Sequence, residues 1–214
     1  MNSNPSNTVR QLRALMPSWK LGPYQAKGVA ERQALRALAI WRINDAPVDL
    51  GPLLELPRIA VRVDARLARL GISGLSESRR GGGWTITINQ ADSSTRRRFT
   101  LAHEFKHVID HPFLRTLYPN DTQRDSPAAE AICDYFAACL LMPRAWVKQL
   151  WYGGLQDIDV LAARFRVSPA AMSRRLQDMR LIDRATQHGV TRRIDVTRYF
   201  RRDSTLLATH ALAG

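Results

Sequence analysis

Two histidines four residues apart, His103 and His107, enclose Glu104 in the stretch TLAHEFKHVIDH, Thr100 to His111. Residues four apart share one face of an α-helix, one turn above the other. A helical stretch therefore brings both imidazoles to a single ion. Glu104 is rotated about 100° from His103, so its carboxylate lies beside such an ion rather than on it. There it can take a proton from an attacking water. The pattern is H-E-x-x-H. Leu101, Phe105 and Val108 form an apolar stripe roughly opposite the histidines. The helix thus packs one side into a core and turns the other to a cleft. A surface helix that merely held imidazoles would have no reason to separate the two sets. Five residues also match by chance in any large collection of chains, so the pattern needs a third ligand and a context.

A catalytic zinc takes three protein ligands and keeps one position open. The donors downstream are Asp110, His111, Asp121, Asp125, Glu130 and Asp134. His111 has drifted about 80° around the helix from His103. It reads as a histidine near the ion but not on it, or as a plain helix-end residue. Glu130 is better placed, because it opens a second helix that can run beside the first. Asp134, one turn later, can accept a hydrogen bond from the outer nitrogen of a ligand histidine and fix its tautomer. Ala129, Cys133, Phe136 and Leu140 form a separate inward face. Taken alone, Glu130 is equally a first-turn carboxylate favoured by the helix dipole.

The rest of the chain gives the frame. Residues 1–7 read as disordered, and Thr8 to Met16 as a short amphipathic segment broken by Pro17 and Gly22-Pro23. Ala26 to Ile43 has helical spacing through Val29, Leu35, Leu38 and Ala39. A further helical turn after Pro47 carries Leu50, Leu53 and Leu54. The period then changes to two: Arg58 to Val63 and Trp84 to Asn89 alternate as half-buried strands, with Leu75 to Ser78 as a third short one. From Ser93 or Ser94 a helix runs through His111 and stops at Pro112. Residues 113–126 read as a loop. Pro127 opens a helix over Ala128 to Leu141, ended by Pro143. Shorter helices follow near 157–166 and 169–179. The class is α+β, mostly helical, with a small antiparallel or mixed sheet. The domain reading is a flexible or short-helical segment at 1–23, a domain at 24–150 with the H-E-x-x-H helix, a helix-turn-helix-like extension at 151–182, and a basic tail at 183–214.

Composition limits the partners. No stretch reaches the roughly 20 apolar residues of a membrane span. The first residues lack the layout of a secretory leader, which makes a cytoplasmic location the expectation. Cys133 and Cys139 read as small buried hydrophobes rather than a disulfide. The net charge is +13, with eleven arginines between Arg164 and Arg202. Such a surface attracts polyanions or acidic proteins, so DNA contact through the basic C-terminal half is one reading.

The phrases "RRRFTLAHEFKHVIDHP" and "AEAICDYFAACLLMP" closely resemble the ImmA/IrrE family of zinc metallopeptidases. The matching pieces are Ile88-Asn89, Arg98 through Glu104, and Phe136 through Pro143, and "LAARFRVSPAAMSRRL" fits the family's helical continuation. The resemblance covers roughly residues 48 to 182. It implies a zincin-like metallopeptidase domain holding one Zn2+ per chain, with ligands His103, His107 and Glu130 and with Glu104 catalytic. It also implies a protein substrate, a helix-turn-helix repressor or antitoxin, whose cleavage derepresses mobile-element or stress genes. Two departures stand out. Phe105-Lys106 replaces the family's usual Leu-Gly or small residue inside the motif, and Ile132 stands where Glu is common. Both bear on substrate fit and leave the ligands intact.

A second oxyanion donor is expected at such a site, with His188, Tyr118 and Tyr135 as candidates. The edge of the strand Trp84 to Ile88 is a candidate for pairing with an extended substrate. The rival reading is a DNA-binding regulator. Leu161, Phe165 and Val167 would pack on Met172, Leu176 and Met179, exposing Arg174 and Arg175 to the groove. A third reading is a toxin- or antitoxin-type protein that binds its partner without cutting it.

Overall fold

The computed structural model describes residues 7–114 and 126–183. The chain divides into two units, Met1–Ile182 and Asp183–Gly214, and the first carries everything that follows. The expected basic tail, apart from Asp183, lies outside the described residues.

The alternating stretches form one small mixed sheet of β1 (Ile59–Asp64), β2 (Gly74–Ser78) and β3 (Trp84–Asn89). Their order is β1-β3-β2. β1 runs parallel to β3, from Ile59 opposite Trp84 to Asp64 opposite Asn89. β2 runs antiparallel, from Gly74 opposite Ile88 to Ser78 opposite Trp84. β3 is therefore the central strand with both edges paired. This corrects the expectation that its edge receives a substrate; among the described residues, the outer edges of β1 and β2 pair with no strand.

The hairpin between β2 and β3 turns on Gly81, Gly82 and Gly83, all with φ near +90°, a region that penalises side chains. At Gly83 a Cβ would also lie 2.6 Å from the Arg58 carbonyl oxygen. The backbone approaches so closely because Trp84 N donates to that oxygen.

Nine α-helices surround the sheet's inner face: α1 (Thr8–Arg13), α2 (Pro23–Trp41), α3 (Gly51–Leu54), α4 (Arg66–Arg69), α5 (Ser94–Asp110), α6 (Pro127–Leu141), α7 (Arg144–Tyr152), α8 (Ile158–Phe165) and α9 (Pro169–Asp178) among the described residues. Capping side chains set the starts of α5, α6, α8 and α9. Ser93 accepts from Arg96 N, Ser126 from Ala129 N and Ser168 from Ala171 N. α6 packs against both α2 and α5. Small residues allow this close approach: Ala26, Ala30, Ala34 and Ala37 make much of the buried face of α2, while Leu35 is 48% exposed. The expected stripe through Leu35 and Ala39 is thus displaced to the alanine side. Trp41, Phe105 and Phe136 meet in the centre, with ring centroids 6.1 and 6.3 Å apart.

α1 belongs to this core. Its Leu12 is fully buried, and the Arg13 guanidinium donates to the carbonyls of Val108 and Ile109 at 2.7 and 3.1 Å. Those are carbonyls in the last turn of α5, which a cation suits. α7 has no counterpart in the sequence reading: Pro143 ends α6 but also has the extended conformation that opens the next helix. No helix among the described residues is long and apolar enough to cross a membrane.

Candidate metal centre

α5 presents His103 and His107 on successive turns, with their Nε2 atoms 3.1 Å apart. α6 brings Glu130 against both. Its Oε2 lies 3.1 Å from His103 Nε2 and its Oε1 3.0 Å from His107 Nε2. Ligands held about 2.0–2.1 Å from a tetrahedral zinc stand about 3.3 Å from one another. The three side chains stand close to that spacing, with the carboxylate meeting each imidazole through a different oxygen. Two imidazoles and a carboxylate are also the donor set of an open zinc site, so the residues fit the ion.

The electrostatics describe what an ion has to displace. Burial opposes charge on His103, but the hydrogen bonds to Asp134 and Glu130 outweigh it and raise its pKa to about 9. The same contacts from His103 and His107 hold the Glu130 carboxyl well below the usual range. Without metal, a proton thus bridges the cluster. Asp134 Oδ1 lies 2.9 Å from His103 Nδ1. That contact assigns the outer nitrogen to Asp134 and leaves Nε2 directed at Glu130.

Glu104 is 7% exposed, and its Oε2 accepts a 2.7 Å hydrogen bond from Ser76 Oγ. Ser76 projects from the inner face of β2, opposite Ile86. Next to it, a Cβ on Gly74 would lie 2.4 Å from Thr100 Cγ2 and 3.3 Å from Glu104 Cγ. The bare glycine lets α5 settle onto β2 and brings the carboxylate to the serine. Neither Gly74 nor Ser76 stood out in the sequence, because only long-range strand pairing places them. A cavity of about 670 Å³ opens here. It exposes His103, Glu104, Glu130 and Asp134, and its walls include Arg96, Phe99, Ser168 and Ala171.

Cys133 is the other neighbour that sequence reasoning passed over. Its sulfur lies within 4.8 Å of a ring nitrogen of both His103 and His107, on the core side. Burial pushes its thiol pKa well above the ordinary value. Glu130 is anionic and lies within 3.1 Å of both imidazoles.

Several expected residues are elsewhere. His111, one turn past His107 and expected either near the ion or as a plain helix-end residue, packs its ring edge-on to Trp84 with centroids 4.8 Å apart. Asp110 is buried with Lys106, whose Nζ also donates to Gln33 Oε1 at 2.7 Å. Lys106 is fully buried, so this departure inside the motif faces the core and not the cleft. Tyr135 donates to Glu31 of α2 at 3.3 Å, which removes it as an oxyanion donor. Tyr118, Asp121, Asp125 and His188 lie outside the described residues.

Arg174 is exposed, but Arg175 is fully buried, which corrects its reading as a groove contact. Its Nε donates to the Met142 carbonyl at 3.0 Å, and its guanidinium stands over the Tyr135 ring. Arg175 falls on the same helical face as Met172, Leu176 and Met179, all buried. The start of the helix expected to read DNA instead walls the cleft, through Ser168 and Ala171.

Residues 63–177 match the profile of the Peptidase M78 family, described as the IrrE N-terminal-like domain. Comparison with curated proteins gives no match. Among solved structures, a Mycobacterium tuberculosis transcriptional regulator aligns over 81% of this chain and 52% of its own length, with TM-score 0.54 and 19% identity. The chain therefore spans about half of that structure, and the likeness is one of fold.

Proposed function

Because the chain belongs to the Peptidase M78 family, the IrrE N-terminal-like domain, we propose that it is a zinc-dependent endopeptidase acting on a regulatory protein. The observation that carries this reading is the convergence of His103, His107 and Glu130 to 3.0–3.1 Å beside a buried Glu104. His103, His107 and Glu130 would hold the ion. Zinc, when bound there, supplies Lewis acidity toward water and the scissile carbonyl.

Glu104 acts as general base on the attacking water and then as general acid on the leaving amine. Ser76 holds one oxygen of that carboxylate and so fixes its direction. Asp134 orients His103. The substrate lies extended along the outer edge of β2, because Gly74 and Ser76 of that strand stand beside Glu104 and the strand's other edge is taken by β3. Ser168 and Ala171 close the opposite wall.

The substrate class is a helix-turn-helix repressor or antitoxin, whose cleavage derepresses genes. A regulatory setting also fits the name of the solved relative, a transcriptional regulator. The test is direct. Purified protein should carry one zinc per chain and cut a repressor encoded beside it, and Glu104→Gln should keep the metal and lose the cut. Metal-free protein that binds DNA with a steep salt dependence would favour the DNA-binding alternative. Full biological activity of a zinc-loaded Glu104→Gln variant would favour a binder that does not cleave.

A further inference from the structure

We propose that Cys133 is a reserve ligand through which thiophilic cations such as cadmium close this centre. The proposal rests on the metal-centre reading above and adds a second ligand set to it. The donor atoms of His103, His107 and Cys133 all lie within 4.8 Å of one another. The three side chains differ from Glu130 in burial. Cys133 is 1% exposed, and the histidine side chains are 13% and 5% exposed, whereas that of Glu130 is 43% exposed. An ion on the two imidazoles therefore has a carboxylate on its solvent side and a sulfur on its core side.

The carboxylate lies on the open side of the site, and the sulfur lies in the packed face of α6. A nitrogen and a sulfur on one tetrahedral ion stand about 3.6 Å apart, so the sulfur has at most about 1.2 Å to travel. Imidazole, carboxylate and thiolate all bind zinc, but a softer ion such as cadmium gains more from the thiolate. When a soft dication binds, the S–H bond breaks, a sulfur–metal bond forms and the proton passes to the buffer; no electrons change owner. With Glu130 retained, four protein side chains then surround the ion and no position is left for a substrate.

The experiment uses the full chain, stripped of metal and titrated with zinc or with cadmium. The readouts are thiolate-to-cadmium charge-transfer absorption and affinity by chelator competition, compared across wild type, Cys133→Ala, Cys133→Ser and Cys139→Ala. The expected result is the cadmium band in wild type and in Cys139→Ala and its loss in both Cys133 variants. Cadmium affinity should fall about tenfold or more in those variants, and zinc affinity by less. Zinc binding without a cadmium band in wild type, or a band that disappears with Cys139→Ala, overturns this proposal alone. Failure to bind either ion overturns the metal centre as well. The Cys139→Ala comparison keeps the assignment testable even where a Cys133 variant fails to fold.

Discussion

On the function proposed above, zinc would compete with a proton for the His103 nitrogen, which sets a pH dependence. With the His103 pKa at about 9, nearly all of the metal-free protein at pH 7 carries the bridging proton. Each pH unit below about 9 weakens apparent zinc affinity about tenfold, since one proton leaves for each ion bound. Between pH 7 and pH 9 the gain is about 50-fold, or about 2.3 kcal/mol. Above pH 9 the curve should flatten. The assay is competition against a chelator of known protonation behaviour, at fixed ionic strength. Asp134→Asn supplies the control, because the hydrogen bond from Asp134 raises the His103 pKa. In that variant the plateau should begin at lower pH, while affinity on the plateau falls about 10–100-fold with the loss of the orienting carboxylate. Wild-type affinity that stays flat from pH 7 to pH 9 would refute the bridging proton and with it the pairing of His103 to both acids.

In the metal-free protein, the stabilisation His103 draws from its raised pKa is complete below the ordinary 6.5 and disappears as pH rises through about 9; a thermal midpoint that does not drop over that window would contradict it. Glu130 acts in the opposite sense, with its share present above the ordinary 4.5 and lost as pH falls further. Glu104→Gln should lower cleavage about 100- to 10,000-fold with zinc content unchanged by metal analysis. Gly74→Ala, which drives a Cβ to 2.4 Å from Thr100 Cγ2, should cost about 1–3 kcal/mol in urea unfolding. Arg175→Ala should destabilise by about 1–3 kcal/mol because it leaves the buried Met142 carbonyl without its donor, and Arg174→Ala by less than about 0.5 kcal/mol; equal, small losses would return Arg175 to the surface.

Residues whose roles follow from local period were legible in the sequence. His103, Glu104 and His107 sit on one helix with a buried stripe behind them, so a single helical period places all three. Asp134 follows Glu130 by one turn, and that spacing alone lets it reach a ligand's outer nitrogen. Other positions depend on partners far along the chain. Ser76 and Gly74 acquire their places only when β2 pairs with β3, and the same pairing makes β3 central. Arg175 shares its buried helical face with Met172, Leu176 and Met179, so its period was informative. Its charge argued the other way, and Glu31, 3.7 Å from its Nη2, lies on a helix near the other end of the sequence. His111 continued the helix as far as the period required. One further turn carried it past the cleft and onto Trp84.

β2 is only five residues long. At about 3.3 Å per residue it offers roughly 17 Å of backbone, and a chain laid on it must give up every internal helical hydrogen bond over that span. A compact neighbour with all its turns closed has nothing to lay there. Under the proposed function, selection among targets would follow how often a short stretch comes undone, so such a peptidase would read the frailty of a hinge or linker before it reads the side chains.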